Sequence, residues 1–162
     1  MSSYTRKNSL RLQGYDYAQA GAYFVTILAH QRRQLFGSIT DGIMSLSKLG
    51  ECVCLCWQRI PQHFPAVELD VSVVMPNHLH GIVVLHNVQE QAPSLSAVVN
   101  SFKGAVTRLA RREDVGLDPD MSIWHRSFHD HIIRNEADLN RIREYVMFNP
   151  ARWTADTFYA VE

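Results

Sequence analysis

The sequence predicts an α+β protein in which helices pack mainly on one face of an antiparallel sheet. Segments rich in β-branched and aromatic residues alternate with segments whose apolar residues recur at helical spacing. Their order is strand, hairpin, helix, two strands, helix, strand, helix, which favours a ferredoxin-like arrangement. With 162 residues and 46% hydrophobic residues, the chain is long enough to bury a sizeable core. We therefore expect one domain over 1–162.

The first half of the chain is predicted to form an arm, a strand, a hairpin and a helix. Residues 1–20 are polar and predict an irregular N-terminal arm, and the β-rich run at 22–28 predicts the first strand. Asp41-Gly42 lies between two short apolar runs and is typical of a two-residue hairpin turn. Ser47 is a suitable N-cap for a helix that extends to about Arg59.

The second half of the chain is predicted to contain three strands and two helices. Strands are expected at 67–75, 78–85 and 123–133, with a polar loop at 86–93. A helix is expected from Ser94 or Ser96 to Arg112. The last helix is expected to be capped by Asn135 and ended by Pro150. The loop at 86–93 is assigned no chemistry. No stretch has the ~18 apolar residues of a membrane span, and no apolar run follows the basic N-terminus, so we expect a cytoplasmic protein.

The three cysteines, Cys52, Cys54 and Cys56, lie within one predicted helix. An odd number of crowded cysteines argues against a disulfide framework and fits a reducing compartment. Residues two apart on a helix do not share a face, which argues against a shared metal site. We predict buried apolar thiols.

The charges of the chain cancel in total but are segregated along it. Lysine and arginine number 16, as do aspartate and glutamate, whereas residues 97–112 contain only basic charges. Segregation of this kind permits a local phosphate-binding surface on a neutral protein. A basic helix face is also commonly just solvated, and both interpretations stay open at this point.

Two histidines flank one apolar residue at the start of a predicted strand. Side chains alternate between the faces of a strand, so His78 and His80 share one face while Leu79 points to the other. Two neutral imidazoles one pleat apart can bind one divalent metal ion. A polar strand face is the alternative.

Tyr145 and Asn149 lie four residues apart on the last predicted helix and are neighbours on one face. A tyrosine hydroxyl is a possible nucleophile, and an asparagine carbonyl is an oxygen ligand for a hard cation. From spacing alone, a buried core tyrosine followed by a helix-ending asparagine is the favoured explanation.

Several stretches together resemble the REP-associated tyrosine transposases, within the single-tyrosine HUH (IS200-like) transposase superfamily. The resemblance covers nearly the whole chain and is strongest in two segments. These are Met75-Pro76-Asn77-His78-Leu79-His80-Gly81 and Tyr145-Val146-Met147-Phe148-Asn149-Pro150-Ala151-Arg152-Trp153. Shorter agreements are Gly14-Tyr15-Asp16-Tyr17, Tyr23-Phe24-Val25-Thr26, Ser101-Phe102-Lys103, Trp124-His125-Arg126 and Asp130-His131-Ile132-Ile133-Arg134.

The resemblance implies a metal-dependent transposase and endonuclease that acts on single-stranded DNA at hairpin repeats. It implies that His78, His80 and Asn149 hold Mg²⁺ or Mn²⁺ over the DNA backbone. Tyr145 would attack the scissile phosphate, giving a 5′-phosphotyrosine link and a free 3′-OH, and rejoining would need no ATP.

The resemblance also directs attention to DNA contacts. The candidate phosphate contacts are Lys103, Arg108, Arg111, Arg112 and Arg126. Tyr15, Tyr17 and Trp124 are candidates for stacking on unpaired bases, although core packing is the favoured role of Trp124. His129 and His131 are expected to be DNA-facing or structural. A homodimer is possible and a monomer is not excluded.

Three alternatives remain. One is a catalytically silent or domesticated protein that binds DNA hairpins, and another is a plasmid replication or relaxase protein, for whose further domains the chain has little room. The third is a metal-dependent hydrolase with its own histidine pair, but a barrel amidohydrolase needs about 250 residues.

Overall fold

The computed structural model describes residues 21–86 and 93–156. Its elements are β1 (Gly21–Ala29), β2 (Gly37–Thr40), β3 (Ile43–Leu46), α1 (Lys48–Gln58), α2 (Ile60–His63), β4 (Val67–Met75), β5 (His78–Leu85), α3 (Leu95–Arg112), β6 (Trp124–Ile133) and α4 (Glu136–Phe148), with short 3₁₀ turns at His30–Arg32 and Pro150–Ala155. The predicted arm, with Tyr15 and Tyr17, and most of the predicted loop lie outside the described residues.

Four strands form the main sheet in the order β4-β5-β1-β6, and every neighbouring pair is antiparallel. The helices α1 and α3 connect these strands in a β-α-β-β-α-β sequence, which is the ferredoxin-like arrangement. The predicted fold class is therefore confirmed. The strands β2 and β3 form a separate hairpin inserted between β1 and α1.

Local sequence signals position the ends of these elements as predicted. Asp41 and Gly42 have φ angles of 52° and 76°, which is the left-handed backbone that a tight hairpin turn requires. The side chains of Ser47, Ser94 and Asn135 cap α1, α3 and α4 by accepting backbone N–H bonds at 3.0, 3.1 and 2.8 Å. One expectation is refined, because the helix predicted to reach Arg59 ends at Gln58 and a separate short helix follows it.

The larger core lies on the face of the sheet that α1, α2 and α3 cover. Inward-facing residues of β1 and β5, including Tyr23, Val25 and Leu79, pack there against the helices. Cys52 and Cys56 are buried on the same side and all three cysteines are free, as expected. Within 21–86 and 93–156, no helix combines the length and the apolar character needed to cross a membrane.

The opposite face of the sheet is covered by α4. Ile142 and Val146 on this helix pack on Ile82 of β5, with partly buried apolar residues around them. Because side chains alternate along β5, the face that receives α4 is also the face toward which His78 and His80 point. The fold thus brings the last helix to the histidine pair.

Gly81 follows His80 and faces the larger core. A Cβ atom at this position would lie 2.4 Å from Cζ2 of Trp57 on α1, well inside van der Waals contact. The glycine therefore lets an indole ring press directly on the strand beside the histidines. This contact gives a packing reason for the glycine that ends the histidine motif.

Candidate metal and nucleophile site

The imidazoles of His78 and His80 face each other in a buried position. Their Nε2 atoms are 3.0 Å apart and the two ring centroids are 4.4 Å apart. Their exposed fractions are only 0% and 1%, so the pair is not a solvated polar strand face. Burial without compensating partners would be costly, so the other atoms of each ring need partners.

Each ring has a hydrogen-bond partner at its second nitrogen. The Nδ1 atom of His78 lies 2.7 Å from Oδ1 of Asn77, whose amide nitrogen donates to the backbone oxygen of Arg32 at 3.3 Å. The Asn77 oxygen can only accept, so Nδ1 of His78 is the protonated nitrogen and Nε2 has a lone pair directed at His80.

The Nδ1 atom of His80 lies 2.8 Å from the Thr26 hydroxyl on β1. A hydroxyl can donate or accept, so Thr26 is compatible with either neutral form of the His80 ring. When Nε2 of His80 donates to His78, Thr26 donates to Nδ1. When both Nε2 atoms present lone pairs to a cation, Thr26 accepts instead. Thr26 therefore permits the ring to become a metal ligand without moving.

Burial keeps both rings neutral at ordinary pH. It lowers the pKa of His78 to about 4, against the nearby charge of Asp156 and an interaction with Asn149 that raise it. Burial also lowers the pKa of His80 well below its usual range, and the neighbouring His78 adds to this effect. A neutral imidazole is the form that binds metals, so neither ring must lose a charge first.

Tyr145 reaches the histidine pair from α4. Its ring centroid lies 5.4 Å from that of His80 and 6.1 Å from that of Phe24, both in edge-on arrangements, and the residue is 36% exposed. Burial and the charge of Asp156 raise the pKa of the Tyr145 hydroxyl, and Asn149 opposes them. The hydroxyl is therefore protonated near neutral pH and open to solvent on one side.

Asn149 ends α4 and is 2% exposed. Its Oδ1 atom is buried and accepts no well-aligned hydrogen bond from the described residues. Burial has the largest effect on the pKa of His78 and of Tyr145, and the charge of Asp156 has the next largest. The Asn149 amide also acts on both groups, raising the pKa of His78 and lowering that of Tyr145, so it lies near both. A buried amide oxygen of this kind, beside two imidazole nitrogens, fits a site for a cation that accepts nitrogen and oxygen ligands.

Asp156 is a member of the site that the sequence analysis did not identify. The 3₁₀ turn from Pro150 returns the chain to the histidines and places Oδ2 of Asp156 3.7 Å from Nε2 of His78, with the carboxylate side chain 0% exposed. Candidate ligand atoms of His78, His80 and Asp156 all lie within 4.8 Å of one another. Trp153 in the same turn lies over His78, with ring centroids 6.1 Å apart. No local pattern marks Asp156, because only the turn after Pro150 brings it to the pair.

The basic residues predicted to contact DNA do not gather around this site. Lys103, Arg108, Arg111 and Arg112 are on α3, which packs on the other face of the sheet. The ammonium of Lys103 donates to the backbone oxygens of His125 (2.9 Å) and Ser127 (3.5 Å), so it caps the open edge of β6. Arg126 is exposed on the same edge strand.

Three further aromatic residues of the sequence analysis have other neighbours. Trp124 is 8% exposed and packs on Phe36 and Phe102 at 5.2 and 5.5 Å, which is a core role. His131 pairs with Asp138 of α4 at 2.7 Å. His129 lies opposite Thr26 in the strand register, one strand away from His80.

Comparisons with known proteins find two relatives in sequence. No protein-family model matches the chain. An uncharacterised protein of Haemophilus influenzae is 36% identical over 171 residues, covering 94% of this chain and 93% of the relative. A second protein of that organism, inferred to be a REP-associated tyrosine transposase, is 24% identical over 140 residues, covering 85% of this chain and 74% of the relative. In sequence, the chain is therefore similar to a REP-associated tyrosine transposase.

Two solved structures share the fold of this chain. A REP-associated tyrosine transposase bound to a REP hairpin matches with a TM-score of 0.63 and 24% identity, over 94% of this chain and 74% of that one. A protein of Deinococcus radiodurans, inferred to be a transposase, matches with a TM-score of 0.54 and 18% identity, over 85% of this chain and 95% of that one. In this chain, Tyr145 and the histidine pair lie on the α4 face of the sheet.

Proposed function

We propose that this protein is a metal-dependent transposase that cuts and rejoins single-stranded DNA at hairpin repeats, acting in the cytoplasm. One observation carries the proposal. A partly exposed tyrosine lies 5.4 Å, ring to ring, from a buried pair of neutral histidines, beside an asparagine oxygen that accepts no well-aligned hydrogen bond within the described part of the chain. This combination is unneeded for core packing and suits a nucleophile next to a cation.

His78, His80 and Asn149 are the proposed metal ligands, through both Nε2 atoms and the amide oxygen. Asp156 is an additional candidate, since its carboxylate lies within reach of the same atoms. These nitrogen and oxygen donors leave coordination positions for water and phosphate oxygens. Such an open site suits Mg²⁺ or Mn²⁺ and differs from a closed structural zinc site. When bound, the ion would polarise the scissile phosphate and stabilise the charge that develops on it.

Tyr145 is the proposed nucleophile. Its phenolic oxygen would form a bond to phosphorus while the bond to the 3′ oxygen breaks, leaving a 5′-phosphotyrosine link. The phenolic proton is transferred to the released 3′ oxygen, which becomes a 3′-OH. One phosphorus–oxygen bond forms and one breaks, so the step needs no ATP. A 3′-OH from another strand end would reverse the step and rejoin the DNA.

The side chains around Tyr145 have distinct proposed tasks in this step. Burial and Asp156 raise the pKa of Tyr145, so the phenol is stored in its unreactive, protonated form. The Asn149 amide opposes that effect and supports the ionised form. Phe24 packs edge-on against the phenol ring at 6.1 Å and restricts its orientation. The exposed side of the ring remains accessible to a DNA strand.

Single-stranded DNA hairpins are the proposed substrate. The solved relative bound to a REP hairpin supports this choice. The five cations predicted from the sequence, Lys103, Arg108, Arg111, Arg112 and Arg126, stay proposed as contributors to DNA binding. For Lys103 the contribution is indirect, because its ammonium already binds two backbone oxygens of β6.

The test uses DNA hairpins taken from repeats that flank the gene, with Mg²⁺ or Mn²⁺. We expect a cleaved strand and a protein–DNA adduct that survives denaturation. Tyr145→Phe should lose both and retain binding, whereas the exposed neighbour change Glu144→Gln should retain both. His80→Gln should lose cleavage and Mn²⁺ binding together, measured by calorimetry.

Two results would contradict the proposal. An adduct formed by Tyr145→Phe would exclude Tyr145 as the nucleophile. Tight hairpin binding by the wild-type protein, without cleavage in either metal, would instead support a catalytically silent hairpin-binding protein.

A further inference from the structure

A basic cleft opens on the side of the molecule away from Tyr145. It has a volume of about 160 Å³ and lies between α3 and the region where α1 meets α2. Its charged or ionisable lining residues are Arg59, His63, Arg108 and Arg112, with Cys56 also lining it. Because α1 and α3 cover the face opposite to the histidine pair, the sheet separates this cleft from the proposed catalytic site.

The three arginines line the same cleft as Cys56. Burial and the neighbouring Cys52 raise the pKa of the Cys56 thiol, and the positive charges of Arg59, Arg108 and Arg112 oppose that effect. Like charges gathered in one cleft repel one another unless an anion compensates them.

The compensation that the protein itself supplies is small. The one ion pair that these arginines make among the described residues joins Arg112 to Glu113 at 4.0 Å, and its side chains are 71% and 60% exposed. An ion pair so exposed and with so long a distance contributes little to stability. Arg59 and Arg108 form no ion pair within 21–86 and 93–156.

The helix backbone accommodates one of these side chains closely. Nη1 of Arg108 lies 3.1 Å from the position that a Cβ atom would take on Gly104, one turn earlier in α3. The absence of a side chain at Gly104 therefore lets the guanidinium lie against the helix. Held near the backbone, Arg108 loses less side-chain entropy when it binds an anion.

Arg111, on the same helix, provides a contrast. It lines a different cleft of about 270 Å³, together with Asp114 and Asp118. Acidic groups therefore accompany Arg111, whereas the described residues that line the cleft of Arg59 and Arg108 include no carboxylate. Arg108 and Arg112 thus line a cleft without carboxylates, whereas Arg111 lines one that contains two.

We propose that the cleft formed by Arg59, His63, Arg108 and Arg112 binds the phosphodiester backbone of the substrate DNA, at a segment other than the one that reaches Tyr145. The nature of the anion rests on the proposed function. Guanidinium groups bind phosphate oxygens in paired hydrogen bonds, and arginines without carboxylate partners in a cleft match a chain of phosphates. Since the sheet lies between the two sites, a DNA that occupies both must extend around the protein.

The test compares Arg59→Gln/Arg108→Gln with the control variant Lys48→Gln, which removes an exposed positive charge outside the cleft. Binding of a fluorescent DNA hairpin with long flanking single strands is measured by anisotropy over a range of salt concentrations. Removal of one arginine–phosphate interaction makes the slope of log affinity against log salt shallower by about 0.7 to 0.9. We expect a decrease of about 1.5 in the double variant and at least tenfold weaker binding at low salt. Lys48→Gln should change little.

A second experiment varies the length of the DNA. A short single-stranded oligonucleotide that spans only the cut site should bind and be cleaved equally well by the wild-type protein and the double variant. Equal losses for the short and long DNA, equal losses in Lys48→Gln, or an unchanged salt slope would each overturn the proposal. So would stabilisation by inorganic phosphate that depends on Arg59 and Arg108 while DNA binding is unchanged, because the cleft would then serve a small phosphate ligand.

These outcomes are independent of catalysis. If the wild-type protein formed no adduct, the proposed function would fail, yet the salt slopes would still test the cleft. Conversely, an unchanged salt slope in the double variant with normal cleavage would exclude DNA binding by the cleft, and the proposed function would still hold. Both arginines are exposed, so the double variant should keep its thermal midpoint, which is measured as a check on folding.

Discussion

Arg143 of α4 and Asp70 of β4 form a two-point ion pair, with Nη2–Oδ2 and Nε–Oδ1 distances of 2.6 and 3.0 Å. Two parallel hydrogen bonds fix the distance and the orientation of the groups they join. Arg143 is two residues before Tyr145, so this pair ties the helix that presents the tyrosine to the edge strand of the sheet.

Asp70→Asn should destabilise the protein by about 1 kcal/mol at neutral pH, in line with a partly exposed ion pair. The hydrogen bond from Arg143 lowers the pKa of Asp70 despite partial burial. A lowered pKa in the folded state stabilises the protein above the ordinary aspartate value of about 3.9. The advantage over the variant should therefore disappear as the pH falls through the lower folded value. Urea unfolding at several pH values measures this difference.

The control for this prediction is Glu68→Gln on the same strand. Glu68 pairs with His86 at 2.8 Å, but its side chain is 69% exposed, so the change should have little effect. A difference between wild type and Asp70→Asn that persisted undiminished well below a pH of about 3.9 would show that the ion pair is not its source.

Thr26→Val should weaken metal binding without removing any proposed ligand. Valine has nearly the shape of threonine but lacks the hydroxyl that lies 2.8 Å from Nδ1 of His80. Loss of such a partner to a ligating histidine commonly costs about 10- to 100-fold in metal affinity. Calorimetric titration with Mn²⁺ measures the change. Thr107→Val, whose hydroxyl bonds within α3, should leave the affinity as it is, and equal affinity in Thr26→Val would refute the role of this hydroxyl.

Asp156→Asn should change both the tyrosine and the metal site. Burial raises the pKa of Tyr145 most, and the negative charge of Asp156 raises it further. Removal of this charge should therefore lower the pKa of Tyr145 in the metal-free protein. Metal affinity should fall, because a negative ligand is replaced by a neutral one. Ultraviolet titration of the variant, with and without Tyr145→Phe, isolates the ionisation of this phenol. The exposed change Asp120→Asn is the control, and an unshifted Tyr145 pKa would contradict the prediction.

The sequence was most informative where structure is set by neighbouring residues. The Asp41-Gly42 turn and the caps Ser47, Ser94 and Asn135 follow from local backbone rules, and each is present. The histidine pair was likewise visible, because alternation along a strand needs only the strand. Tyr145 and Asn149 were ambiguous by spacing and were selected through the family resemblance.

The features that the sequence did not indicate depend on distant parts of the chain. Asp156 reaches His78 only through the turn after Pro150, and Thr26 reaches His80 only through the pairing of β1 with β5. The same limit applies to the charges of α3. Their spacing placed them on one helix, but only the packing of α3 shows that they lie across the sheet from the histidines.

Gly81→Ala should destabilise the protein and weaken metal binding together. The added methyl group would lie 2.4 Å from Cζ2 of Trp57, so the indole or the strand beside His80 must move. Overpacking of this kind costs about 1 to 3 kcal/mol. Trp57→Phe should relieve the clash, so the double variant should be more stable than the sum of the single changes predicts. Gly104→Ala is the control, because its new methyl group meets only the flexible end of Arg108 at 3.1 Å. Additive effects at Gly81 and Trp57, measured by urea unfolding, would show that this contact does not position the histidine strand.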